Sequence, residues 1–276
     1  MAVLRILLAA VLLVGATGYG GPVAAEPALR IGGTGSALGG VQLLLDGLTK
    51  RHPEITGVVL PSVGTSGAVK AVAAGALDIG LTSRPLKVAE RGLGLAVHPY
   101  GATALVFAVR HDNPRNTIRS TEIVDIYEEK ITAWGDGTPI RFILRPPSDG
   151  DTEILLRFLP RLASAWQEAA EKRIVPVAYT DQEAAELIET IPGAIGPNSL
   201  SLILAERRPI RALALDGVMP TVETIRDGTY DLTKTFHFVT RPEPEPAVRA
   251  FMEFAASPEG RDILEAVGVV PLREGK

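Results

Sequence analysis

Short apolar runs rich in β-branched residues alternate along the chain with longer stretches in which apolar residues recur every three or four positions. Runs at 28–31, 57–60, 79–81, 103–109, 140–144, 175–178, 211–215 and 236–240 predict strands. Between them Val41, Leu44, Leu45 and Leu48 keep helical spacing, as do Val69, Val72, Ala73 and Ala76, and Ile123, Ile126 and Tyr127. This alternation predicts an α/β architecture with parallel strands covered on both faces. Pro242, Pro244 and Pro246 interrupt the pattern before two last helical stretches at 248–255 and 258–266, the second ended by Gly268. No repeat of fixed period is present.

The N-terminus has a different character. Arg5 precedes an unbroken apolar run at 6–14, and Val23, Ala24 and Ala25 place small residues at a cleavage position, the pattern of a signal peptide spanning 1–25. The run is short of the 18 or more apolar residues that a spanning helix requires. The expected mature chain begins near Glu26; losing Arg5 leaves 27 of the 28 basic residues against 32 acidic ones, a charge of −5. An exported protein without a lipid tether is expected in a periplasm. The 276 residues contain no cysteine, which excludes disulfides, thiolate metal sites, a cysteine nucleophile and a lipidated N-terminal cysteine. A formal charge of −4 without a basic cluster argues against nucleic acid. Four scattered histidines, His52, His98, His111 and His237, give no metal set, so no metal or cofactor is expected.

The remaining chemistry lies in three loops that follow strands. Gly32-Gly33-Thr34-Gly35-Ser36 and Gly64-Thr65-Ser66-Gly67 each open a helix, and Thr82-Ser83-Arg84-Pro85 ends a strand in two hydroxyls and a guanidinium. Small residues at a helix N-terminus present backbone N–H groups and about +0.5 of partial charge to an anion. Each loop alone also suits ordinary capping. Three at the carboxyl edge of neighbouring strands mark the place where open α/β sheets bind ligands.

Two other readings of these loops are weaker. Gly33 to Gly39 approximates a dinucleotide turn, but Pro61 and Ser62 stand where an acidic residue should hold the ribose. Gly64-Thr65-Ser66-Gly67-Ala68 approximates a nucleophile elbow, with Asp216 and His237 following in hydrolase order, yet Ala68 replaces the motif's final glycine.

Across 29–272 the chain resembles the periplasmic phosphate-binding proteins of ABC importers. The landmarks, in order, are Gly33-Thr34-Gly35-Ser36, then Gly64-Thr65-Ser66-Gly67-Ala68-Val69-Lys70, then Asp78-Ile79-Gly80-Leu81-Thr82-Ser83-Arg84-Pro85-Leu86 and Ile131-Thr132-Ala133-Trp134-Gly135. Pro192-Gly193-Ala194-Ile195-Gly196, Gly228-Thr229-Tyr230-Asp231-Leu232, Ser257-Pro258-Glu259-Gly260 and Gly268-Val269-Val270-Pro271-Leu272 complete them. The resemblance implies a type 2 two-lobed binding protein, each lobe a mostly parallel sheet flanked by helices, joined by two crossing strands near 103–110 and 230–240. The implied lobes are 26–105 with 235–276, and 106–234. It further implies a non-enzymatic monomer that closes on an oxyanion, phosphate first, and feeds an ABC permease.

Carried over position by position, the expected ligand donors are Gly35, Ser36, Thr65, Ser66, Gly67, Ser83 and Arg84 from the first lobe, and Arg145, Asp149, Gly150, Asp151 and Thr152 from the second. Ser83 stands where many relatives place a carboxylate. Arg84 is either an added positive charge or a solvated residue. After Arg145, relatives have Ser-Gly-Thr three residues on. Here either Asp149, Gly150 and Asp151 replace that triad, or one inserted residue returns Thr152 to it. Asp149 or Asp151 either caps the following helix or replaces the missing carboxylate, orienting Arg145 or accepting a ligand proton. The site is therefore expected to take phosphate or another oxyanion, with a non-transporting sensor or scaffold as the other outcome. Trp134 and Trp166 read as packing anchors.

Overall fold

The computed structural model describes residues 28–172 and 175–272. The expected signal peptide lies outside them. The chain begins with β1 (Leu29–Gly33), α1 (Gly35–Arg51), β2 (Gly57–Val59), α2 (Gly64–Ala73), β3 (Ile79–Thr82) and α3 (Val88–Arg91). A 15-residue strand, β4 (Ala96–Arg110), then leads to β5 (Thr117–Ile118), α4 (Ser120–Tyr127), β6 (Arg141–Phe142), α5 (Gly150–Phe158), α6 (Leu162–Lys172) and α7 (Asp181–Thr190). Next come β7 (Ala194–Ser199), α8 (Leu200–Ala205), β8 (Ile210–Ala212), β9 (Ala214–Leu215) and α9 (Val222–Arg226). The chain ends with β10 (Thr233–Thr240), α10 (Pro246–Ala256), α11 (Pro258–Ala266) and β11 (Val269–Pro271).

The sheet runs β2-β1-β3-β10-β4-β7-β6, with β8 and β11 also pairing along β4. At its flanks β1 pairs parallel with β2 and β3, and β6 parallel with β7. Every antiparallel ladder involves β4 or β10, the two long strands that return the chain between the halves. Strand β4 pairs with β10 over its N-terminal half and with β7 over 105–109.

Apolar residues form two main cores, one on each side of this beam. Ile31, Leu44, Leu48, Ile79, Leu81, Phe236 and Phe251 fill the first. The helical spacing of Val41, Leu44, Leu45 and Leu48 puts all four on the buried face of α1. The second core gathers Val106, Ile123, Ile143, Leu144, Ile188 and Leu202. Trp134 and Trp166 are buried within it, as expected of anchors, and Trp134 Nε1 donates to the Gly193 carbonyl at 3.0 Å.

Several elements differ from the pattern reading. The run 175–178 forms no strand; Val177 makes only a lone bridge to Leu144. The run 211–215 divides into β8 on β4 and β9 on β5, the switch coming where the Ala214 N–H donates to the Asn116 carbonyl. Strand β4 starts seven residues before the expected 103, through Pro99 and Gly101, which obscure the alternation. The ladder to β10 absorbs them with a register shift between Phe236 and His237. A Cβ on Gly101 would lie 2.4 Å from Val269 Cγ1, so glycine there lets β11 close onto β4.

Gly33 fixes the first turn of the candidate site. Its φ is +154°, and a Cβ would fall 2.1 Å from the Leu81 carbonyl oxygen, the atom that accepts the Thr34 N–H at 2.9 Å. Gly33→Ala is expected to destabilise the protein by about 2 kcal/mol or more, because backbone atoms must move; urea unfolding of the variant measures it.

Candidate functional site

A cleft of about 440 Å³ opens between the two cores. Thr65, Ser66 and Gly67 from the start of α2 line one side, with Ser83 and Arg84 after β3. Arg145, Asp149, Gly150 and Asp151 line the other, joined by Thr180 and Asp181. Nine of the twelve expected donors therefore meet at one cavity, which residues at the N-termini of α2, α5 and α7 also line. The walls are close: a Cβ built on Gly150 would lie 3.7 Å from Ser83 Oγ. Thr65 Oγ1 accepts the Ser83 N–H at 3.2 Å and lies 3.3 Å from Ser83 Oγ, fixing these two hydroxyls together.

Gly35, Ser36 and Thr152 do not line the cleft. The anion seat expected at the start of α1 is filled by the protein itself: Asp181 Oδ2 accepts the Ser36 N–H at 3.1 Å. Gln182 Nε2 donates to the Gly35 carbonyl at 3.0 Å. A Cβ on Gly35 would lie 2.2 Å from Gln182 Oε1, so the glycine makes room for α7 rather than for a ligand. Thr152 is buried inside α5 and its hydroxyl donates to the Arg145 carbonyl at 3.4 Å. Asp149 is the N-cap of α5, accepting the Asp151 N–H at 3.0 Å.

A mostly buried cluster of charges forms one wall of the cleft. Lys234 of β10 is fully buried; its ammonium donates to both oxygens of Asp151, at 2.7 and 2.8 Å, and to Ser36 Oγ at 2.6 Å. Arg145, also buried, donates from Nη2 to Asp149 Oδ2 at 2.8 Å and lies 3.8 Å from Asp181. Lys234 is 3.9 Å from the same Asp181 carboxylate. Two cations thus face three carboxylates. Burial raises the Asp151 carboxyl and Lys234 pulls it back, but the nearby Asp181 and Asp149 carboxylates leave it at about 6. Burial would raise Asp181 as well, yet Lys234, Arg145 and the Ser36 hydrogen bonds together hold it below the usual range. Arg145 Nη1 has no hydrogen-bond partner among the described residues although it is buried. In the wall of a polar cleft, a guanidinium N–H left bare is an unmade charge-assisted bond.

Arg84 is neither an unpaired added charge nor a solvated residue. It donates to both oxygens of Glu90 at 2.8 and 2.9 Å and to Ser66 Oγ at 2.9 Å, bracing the α2 turn. Ser66, Asp216 and His237 are not brought together as a triad. Asp216 Oδ1 accepts the exposed Ser120 N–H, and His237 lies in β10 with Nδ1 unpartnered, its pKa lowered by burial. Lys234, Asp181 and Glu90 were absent from the sequence reading. One signal for Lys234 was available: it falls in phase with Phe236 and Phe238, on the inward side of β10.

A two-lobed sheet with helix N-termini converging on a closed polar cleft defines a ligand-binding protein of the bilobed kind. The chain belongs to the PBP superfamily, whose domain model matches residues 17–259. That family consists of binding proteins rather than enzymes. Among curated relatives, Protein SphX of Synechococcus elongatus is 27% identical over 247 residues, covering 81% of this chain and 71% of that protein. A substrate-binding chain of Clostridium perfringens, solved with bound phosphate, superposes with a TM-score of 0.76 at 22% identity, covering 90% of this chain and all of that one. An ABC-type phosphate transport receptor from Vibrio cholerae gives 0.60 at 20% identity over 88% of this chain and 99% of the other. The fold is the type 2 periplasmic arrangement.

The Arg84 guanidinium hydrogen-bonded to Glu90 holds that carboxyl at about 2, below its usual 4.5. A depressed carboxyl adds stability above the unfolded-state value and loses it as pH falls through the folded value. Both side chains are less than one-sixth exposed, so Glu90→Gln is expected to cost about 2 kcal/mol at pH 7. The difference from wild type should shrink between pH 4.5 and 2, which urea titrations at several pH values read directly.

Proposed function

We propose that this protein captures an inorganic oxyanion, phosphate first, in the cleft between its lobes and delivers it to an ABC permease. The observation that carries this reading is buried Arg145, whose Nη1 has no partner among the described residues, lining one cleft together with the α5 N-terminus and with Thr65, Ser66 and Ser83. A dehydrated tetrahedral anion needs several oriented donors at once. Hydrogen bonds to charged groups contribute about 1.5–3 kcal/mol each, so a guanidinium, three hydroxyls and the amides of two helix starts can together offset its dehydration.

The names of the two solved relatives support phosphate as the ligand, and the bilobed fold supports closure as the event that a permease reads. Export through the signal peptide at 1–25, a periplasmic location, a monomeric state and lobes at 26–105 with 235–276 and at 106–234 belong to the same proposal. The direct donors are then Thr65, Ser66, Gly67, Ser83, Arg145 and Gly150, with Arg84, Asp149 and Asp151 positioning them.

Calorimetry with phosphate, sulfate, molybdate and arsenate tests the assignment. Phosphate should bind the wild type, and Arg145→Ala should weaken it at least tenfold, about 1.4 kcal/mol. Unchanged affinity in that variant removes Arg145 from the site, and preference for another anion replaces phosphate.

A further inference from the structure

The charge count at the cleft creates a difficulty for any anion that enters. Arg145 and Lys234 already face Asp149, Asp151 and Asp181, so the cluster carries one negative charge more than positive before a ligand arrives. The other charges at the cleft are matched: Arg84 is held by Glu90, and Lys87 on the rim lies 3.3 Å from Glu153. No spare cation lines the cavity among the described residues. Adding an anion to a largely buried, net-negative site is costly unless a compensating charge comes with it.

Resting on the oxyanion reading above, we propose that Asp151 supplies this compensation by taking up one proton from solvent when the anion binds, converting its carboxylate to the neutral acid. Of the three carboxylates it is the one placed to do so. Asp181 accepts the Ser36 amide and stands within 4 Å of both cations, which favours its charged form. Asp149 holds Arg145 through two hydrogen bonds and caps α5. The Asp151 carboxylate is held by Lys234 alone, and the residue is buried yet lines the cleft that the anion would enter. Its ordinary ionisation is already displaced towards neutrality by burial and by the two neighbouring carboxylates. A nearby anion pushes it further the same way. Once Asp151 is neutral, Lys234 still has Asp181 and the Ser36 hydroxyl beside it, so its charge is not stranded. The protein then favours binding at lower pH and loses affinity as the medium turns alkaline.

The test is the pH dependence of phosphate affinity, measured by calorimetry between pH 5 and 8 on the wild type and on Asp151→Asn. Because phosphate's own titration acts on both proteins, the ratio of their affinities isolates the residue. Wild-type affinity should fall relative to the variant by about tenfold per pH unit above roughly pH 6.5, the slope of one linked proton. Calorimetry of the wild type at pH 7 in buffers of different ionisation heat should also show greater proton uptake than in Asp151→Asn. Should Asp151→Asn fail to fold, Asp151→Asn/Lys234→Met removes both halves of the pair and takes its place in the comparison. A constant affinity ratio with equal proton uptake overturns the proposal while leaving phosphate as ligand. Absence of phosphate binding to the wild type at every pH overturns the phosphate assignment itself and this inference with it.

Discussion

From strand β10, the fully buried Lys234 side chain ties the α1 turn to α5. Its ammonium bonds Ser36 Oγ on one side and both Asp151 oxygens on the other. Removing Lys234 would leave the buried Asp151 and Asp181 without the cation they share, at a cost of about 3–5 kcal/mol. The arrangement therefore constrains the residues around it. Asp181 must stay close enough to serve both cations, Gly35 must stay small to admit α7, and Asp149 must remain on Arg145. The cleft takes its shape from these obligations as much as from its own lining.

The same cluster shows how the sheet brings distant segments together. Strand β10 pairs with β3, whose end carries Ser83, and with β4, which continues into the ladder with β7. The segment after β6 supplies Arg145, and α7, packed before β7, supplies Asp181. Strands fixed in register by backbone hydrogen bonds thus hold side chains from four parts of the chain within a few ångströms. Two separate apolar cores flank this beam. Hinge closure in bilobed proteins uses element-terminal positions.

Much of this was legible along the chain because it is local. Helical spacing at Val41 to Leu48 identified the buried face of α1, and prolines and Gly268 marked the ends of the last helices. The glycine and hydroxyl turns after β2 and β3 do line the cleft, since a helix start following a parallel strand always emerges at the carboxyl edge. What was hidden depends on contacts between remote residues. Strand β4 was read short because Pro99 and Gly101 look like a break until β11 and the β10 register shift account for them. Arg84 left two readings open because nothing nearby in sequence distinguishes Glu90 as its partner from the other acids around it.

The α1 turn shows the limit most clearly. Gly-Thr-Gly-Ser before a helix states that an anion will be welcome there, because free amides and the helix dipole favour negative charge. It does not state whose charge. A bound oxyanion and the carboxylate of Asp181, 145 residues away from Ser36, satisfy the same amide equally well. The protein resolves the ambiguity in favour of its own side chain, and this shifts the vacant donors to α2, α5 and the Nη1 of Arg145. A built-in carboxylate at one helix start thus confines the guest to the remaining donors. It also places a fixed negative charge beside them, so the site's selectivity is governed by the protein's own anions as well as by its donors.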